Sequence, residues 1–268
     1  MNYLKINITN INYRYKYPMI NKYNMDNYGT GSKKLVIFAP ISPQWNGIAD
    51  VREKFERYTQ VYSIYYVDTL SITENCMTIT DAKLRFKNYL GRYCQDAAAI
   101  MGFAFGGTLL QHIVGDKLLK QCKLAFISSP TYANDELISK LQTVIALLQK
   151  DQLLEALNVV EHLVQPENCI NNTNLVNIDF IKNTVQAQKR LLQGYSLMIQ
   201  ANATDEIKAI HQESVAIIGA FSQLATLNNV LMPSQQIKVI PHAGMRVLES
   251  DPERIYPILD ELLLKDYK

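Results

Sequence analysis

The run Leu35-Val36-Ile37-Phe38 is apolar at every position and is bounded by polar residues on its N-terminal side. A strand of this kind is buried on both faces, which requires a sheet covered by helices on its two sides. Further stretches read as strands: Val61–Val67, Ala97–Met101, Lys123–Ser128, Ser214–Gly219 and Ile237–Ile240. Between and after them lie helical patterns over Asp50–Tyr58, Asp81–Leu90, Thr108–Val114 and Glu253–Leu264, with Asp81 a candidate cap. Strands that alternate with helices predict an α/β fold with a mostly parallel sheet. Ahead of this pattern, residues 3–17 alternate apolar and polar as a half-buried hairpin would, and the polar stretch to Ser32, with Gly29 and Gly31, reads as a turn.

The alternation stops after Pro130. From Asn134 to about Ile207 only helical periodicity is present. Leu137, Leu141, Val144, Ile145 and Leu148 fall on one face, and Leu153, Leu154, Leu157, Val160 and Leu163 do so again. Polar stretches such as Gln165–Asn174 separate the helices. A chain of 268 residues accommodates one domain with an insertion: a core over residues 1–130 and 208–268, interrupted by an all-helical block over 131–207.

Composition narrows the partners. The formal net charge is +2, and long basic runs are absent. The nearest approach, Tyr13-Arg14-Tyr15-Lys16-Tyr17, places its charges on alternate positions as the solvated face of a strand does. Nucleic acid is therefore not an expected partner. Cys76, Cys94, Cys122 and Cys169 form no C-x-x-C pair and no Cys/His cluster with ligand spacing, so neither a metal nor another cofactor is expected. The N-terminal residues lack an apolar signal core and no run is long enough to span a membrane, which predicts a reduced, cytoplasmic protein. The richness in Asn, Lys, Ile and Tyr suggests an AT-rich bacterial gene.

The chemistry centres on Ile100-Met101-Gly102-Phe103-Ala104-Phe105-Gly106-Gly107-Thr108. A strand runs directly into a helix through a turn with glycine two residues before and two after its apex. That is the G-x-S-x-G pattern with alanine at the centre. A phosphate-binding loop would need Lys followed by Ser or Thr, or three spaced glycines, and has neither here.

From this segment outward, nearly the whole chain, Tyr3 to Leu264, resembles the α/β-hydrolase family in its capped, esterase- and lipase-like branch. Leu35–Ile41 is similar to the strand that leads to the family's oxyanion loop, and Trp45 lies where that loop often carries an aromatic. Asp68 resembles the aspartate after the next strand, and the helical block falls where the family inserts its cap. Val215–Leu224 looks like the strand and turn that bear the catalytic acid. Ile237–Met245, followed by Glu249, Pro252 and Glu253, looks like the last strand and the histidine loop.

The resemblance places the nucleophile at Ala104, the acid at Ser222 and the base at Met245. An alanine methyl cannot attack, and a thioether accepts no proton at neutral pH. Ala39-Pro40 stands where the family has His-Gly, and proline has no N–H to offer, while the amides of Ile41 and Phe105 fall at the oxyanion-hole positions. One replacement would fit an engineered nucleophile mutant. Three together fit natural loss of the machinery. Among substitutes, His242 precedes the base position by three residues, His112 follows the elbow on its helix, Asp135 sits in a helix N-terminus at Asn134-Asp135-Glu136, and Cys94 precedes the elbow strand. Each reads more simply as a structural residue.

A cleft between cap and sheet would have a floor of Ile41, Phe103, Ala104, Phe105 and Met245, with Trp45 and Tyr132 at its sides. Such a floor suits a small apolar ligand, or is filled in as core. The expected function is a pseudoenzyme that binds a small hydrophobic ligand or a partner protein in a regulatory or accessory role. The alternative is an esterase- or thioesterase-like hydrolase with a substitute site or an engineered nucleophile.

Overall fold

The computed structural model describes residues 23–169, 178–179 and 181–267. The hairpin expected over residues 3–17 lies outside them. Among the described residues a seven-stranded sheet has the order β1-β3-β2-β4-β5-β6-β7. Its strands are β1 (Met25–Tyr28), β2 (Lys33–Phe38), β3 (Tyr62–Val67), β4 (Ala97–Phe103), β5 (Lys123–Ile127), β6 (Ser214–Gly219) and β7 (Ile237–Ile240). β1 is antiparallel to β3, and all other pairings are parallel.

The helices are α1 (Arg52–Phe55), α2 (Thr69–Ile72), α3 (Ile79–Tyr93), α4 (Phe105–Gln111), α5 (Asp135–Leu148), α6 (Leu153–Val164), α7 (Thr184–Met198), α8 (Thr204–Ile207), α9 (Val247–Ser250) and α10 (Pro252–Leu264). None among the described residues is long and apolar enough to cross a membrane.

The apolar runs feed two cores because side chains alternate across the sheet. Val36, Phe38, Ile100, Leu124 and Phe126 join the core under α3, α4 and the helices that follow β5. Leu35, Ile37, Met101, Ala125 and Ile127 join the opposite one, which Phe55, Tyr58 and the α10 residues Ile255, Leu259 and Leu262 close.

Local differences from the sequence reading have local causes. Met25–Tyr28 is a strand where a turn was expected. It lies at the sheet edge, where polar side chains meet solvent, so its polarity concealed it. The turn is confined to residues 29–32, with Gly29 at φ +89°. The helix expected over Asp50–Tyr58 breaks into α1 between two 3₁₀ turns, Gly47–Asp50 and Glu56–Tyr58. It is held by the buried Val51, Phe55 and Tyr58 rather than by a side-chain cap.

Thr78, not Asp81, caps α3. Its Oγ1 accepts from the Asp81 amide at 3.1 Å and donates to the Asp81 carboxylate at 2.8 Å, so the Asp81 side chain holds the capping hydroxyl in place. α4 starts at Phe105, three residues ahead of Thr108, because the elbow glycines belong to the helix. In α6, Leu154 is exposed while Leu153, Leu157 and Leu163 are buried.

α6 and α7 each pack on α5, and all three fall between β5 and β6 in the chain. α7 is tied to the sheet by a buried ion pair. Arg190 Nη1 and Nη2 donate to the two Asp68 oxygens at 2.8 and 3.0 Å, and Arg190 Nε donates to the Ser42 carbonyl at 3.2 Å. Asp68 also accepts from the Leu70 amide, which caps α2, and from Asn24 Nδ2. A carboxylate so deeply buried is costly once its cation is gone. Arg190→Ala is expected to lower stability by about 3–5 kcal/mol, read from the urea midpoint at unchanged slope. A loss under about 1 kcal/mol would show that the pair contributes no more than an exposed one.

Candidate functional site

The carboxyl ends of the parallel strands converge at the β4–α4 turn, the region where sheets of this kind form crevices. Ala104 at the apex has φ +43° and ψ −113°, a conformation that a residue with a side chain adopts only under constraint. The constraint is close packing of backbone. A Cβ on Gly102 would lie 2.3 Å from Gly107 Cα, and one on Gly106 would lie 2.7 Å from the Phe38 carbonyl oxygen. The turn is anchored by the Ala104 amide, which donates to the Ile127 carbonyl at 2.9 Å, and by the Thr108 amide, which donates to the Ala104 carbonyl at 2.9 Å.

Ser222 follows β6 and Met245 follows β7, and the fold brings them into contact. Ser222 Oγ donates to Met245 Sδ at 3.1 Å and accepts from the Ala225 amide at 3.2 Å. The Met245 backbone is held on both sides: its amide donates to the Val164 carbonyl of α6 at 3.1 Å, and its carbonyl accepts from Ser128 Oγ at 2.7 Å. Ser128, at the end of β5, has φ +49°.

A cavity of about 480 Å³ opens over this turn, a volume within the range of small-molecule sites. Ile41, Phe103, Ala104 and Met245 line it together with Leu157 and Val160 of α6. The site is therefore open, not filled in as core. Phe105 is fully buried beneath it as the first residue of α4. The amides of Ile41 and Phe105 donate no hydrogen bond among the described residues.

Two expected wall residues are placed differently. Trp45 does not line the cavity but stacks on Tyr66, which does, with ring centroids 4.8 Å apart. Tyr132 bridges to Asn202 and donates to the Asn228 carbonyl at 2.6 Å, so its reach is spent on the β6–β7 connection.

The structure adds a polar rim that sequence reasoning missed: Asp50, Lys54, Glu161, Arg246 and Glu249. Arg246 grips Glu161 of α6 through both terminal nitrogens at 2.7 and 2.6 Å, and Lys54 reaches Glu249 at 2.6 Å. The Arg246 hydrogen bonds hold the Glu161 carboxyl below its usual range, against its partial burial. Burial pushes the Asp50 carboxyl up, against a hydrogen bond from Asn46 and the charge of Lys54. These pairs join residues far apart in the chain, and no spacing in the sequence signals them.

No histidine lines the cavity. His242 is exposed and stacks against Phe221 at 5.8 Å. His112 is buried beside Glu206, 3.8 Å from Nδ1, and its Nε2 has no partner among the described residues. Burial lowers its pKa, against the opposing charge of Glu206. Asp135 occupies the first turn of α5 behind its cap Asn134. Cys94 is buried, with its thiol pushed up to about 12 by desolvation, far from the thiolate a nucleophile needs. No group of His, Cys, Asp or Glu among the described residues has the arrangement of a metal site.

No sequence family matches this chain, and no curated protein matches it in sequence. Solved structures do match in fold. An α/β-hydrolase enzyme, MGS-M2, from a Medee basin deep-sea metagenome library superposes with a TM-score of 0.73 at 11% identity, covering 90% of this chain and 93% of its own. A bromoperoxidase from Bacillus anthracis gives 0.68 at 15% identity, with 90% and 94% covered. MenH from S. aureus gives 0.65 at 13%, with 91% and 99% covered.

Two outcomes test this geometry. Ala104→Ser restores a hydroxyl at the apex without a base, so hydrolysis of p-nitrophenyl butyrate is expected to stay at the level of the unsubstituted protein; a gain of about a thousandfold would reveal a working base. For His112, the unfolded chain takes up a proton that the buried ring resists. Its contribution to stability is therefore complete above about pH 6.5 and is lost as pH falls further. Urea midpoints between pH 7 and 5 are expected to fall more steeply for the native protein than for His112→Leu; parallel curves would contradict the assignment.

Proposed function

We propose that this chain, built on the α/β-hydrolase fold, is a binding protein rather than a hydrolase, and that it takes a small apolar ligand into the cavity above Ala104. The observation that carries this reading is the pairing at the floor. Where attack and proton transfer would be expected the cavity presents a methyl group, Ala104, and a thioether, Met245, whose sulfur accepts the hydrogen bond of the Ser222 hydroxyl. A thioether is a weak acceptor and not a base, and Ser128, which lines the cavity, donates its proton to the Met245 carbonyl. Neither hydroxyl is activated as a nucleophile.

In this reading Ala104, Ser222 and Met245 occupy the positions of a nucleophile, acid and base that the protein no longer uses. The helices between β5 and β6 act as a cap, over residues 131–207. The replacement of ionisable groups by Ala and Met makes the floor more apolar, which favours burial of a hydrophobic ligand at about 25 cal/mol per Å² of apolar surface. The amide of Ile41, a residue that lines the cavity, is available to a ligand oxygen.

The experiment is a titration with N-phenyl-1-naphthylamine, a neutral apolar fluorophore. Saturable enhancement is expected, and Val160→Trp, which fills the cavity from α6, is expected to abolish it. Absence of saturable binding, or binding unaffected by Val160→Trp, would overturn the cavity reading. Turnover of p-nitrophenyl butyrate by the native protein at an ordinary enzymatic rate, about 1 s⁻¹ or more, would establish the hydrolase instead.

A further inference from the structure

The charged residues of the cavity are not equally satisfied. Three carboxylates and two cations line it. Glu161 is engaged by Arg246 through two hydrogen bonds, and Glu249 by Lys54. That leaves Asp50. It accepts a hydrogen bond from Asn46 Nδ2 at 3.2 Å, and no ion pair to it is formed among the described residues. It is partly withdrawn from water and lies near Tyr66, whose ring lines the same cavity.

Its position is fixed. The 3₁₀ turn Gly47–Asp50 is pinned by Asp26 of β1, whose Oδ2 accepts the Ile48 amide at 2.9 Å. The same oxygen lies where a Cβ on Gly47 would come within 1.9 Å of it, and Gly47 itself has φ +68°. The carboxylate is thus presented to the cavity by a turn that has little room to rearrange. The same cavity presents the apolar residues Ala104, Met245, Leu157 and Val160.

On the cavity-binding reading above, we infer that the ligand is an amphipathic amine, with its hydrocarbon part on the Ala104–Met245 floor and its ammonium group against Asp50. Lys54 is near enough for its charge to act on Asp50 but is paired with Glu249, so a partly buried carboxylate with no ion pair of its own is stabilised by an incoming cation, and an ammonium group supplies both charge and hydrogen-bond donors. A neutral ligand would leave Asp50 as it is. An anionic ligand would face three carboxylates, and could gain a cation only by taking Lys54 or Arg246 from its partner. The competing attraction for an anion is the amide of Ile41, which lines the cavity.

The test is displacement of N-phenyl-1-naphthylamine by three molecules with the same chain: octylamine, octanol and octanoate. Octylamine is expected to bind about tenfold more tightly than octanol, a difference of about 1.4 kcal/mol, with octanoate the weakest. Asp50→Asn is expected to remove the advantage of the amine and leave octanol unchanged. Asp50→Ser serves as a second variant, with the fold of each checked by circular dichroism. The inference is overturned if octanol or octanoate matches octylamine, if either folded variant keeps the preference, or if Val160→Trp still binds octylamine. Failure of the fluorophore to bind native protein at all would instead overturn the cavity reading on which this rests.

Discussion

The β4–α4 turn is the constraint on which the site depends. α4 enters so close to β2 and β4 that neither Gly102 nor Gly106 has room for a Cβ. The helix cannot be moved away without exposing Phe105, Leu109 and Leu110, all fully buried. The turn must therefore reverse within very few residues, and Ala104 is forced to φ +43°. A strained backbone of this kind costs about 1–3 kcal/mol. In this chain the strain positions a methyl group. It persists because packing holds it, whether or not a reactive group stands there.

Around that turn the polar groups are mutually engaged. The Ser222–Met245 contact, the Ser128 bond to the Met245 carbonyl and the Met245 amide bond to Val164 knit the ends of β5, β6 and β7 to α6. The Arg246–Glu161 pair repeats the same connection at the rim, and Arg190–Asp68 joins α7 to the end of β3. The helices between β5 and β6 are thus attached to the sheet by directional polar contacts on either side of an apolar space.

Much of the fold was legible because burial on both faces leaves a strong mark. Leu35–Phe38 and Ser214–Gly219 are strands where their apolar runs predicted them, and the helical periodicity after Asn134 corresponds to α5, α6 and α7. Legibility failed where the signal is weak for a physical reason. β1 is a polar edge strand. α1 is a single turn stabilised by what it packs against, and the Thr78 cap was hidden because Asp81 is an equally good capping residue by type. The candidate site was legible in its floor, since strand-end residues such as Ala104 and Met245 are fixed by the strands that carry them. Its walls were not. Trp45 turned to Tyr66 and Tyr132 to Asn228, because a side chain on a loop goes where its best partner lies.

Residue types and their order along the chain determined the parallel sheet, the glycine-flanked turn and the chemical poverty of its apex: no arrangement of neighbours can make a methyl group or a thioether transfer a proton. Only the tertiary structure decided that the space above that apex stays open, that Ser222 and Met245 touch, and that Asp50 is the cavity carboxylate with no ion pair among the described residues. Those facts depend on contacts between residues tens to hundreds of positions apart, Lys54 with Glu249 and Glu161 with Arg246 among them. Charge pairing acts through space over a few ångströms, and the linear order of the chain carries no record of those distances.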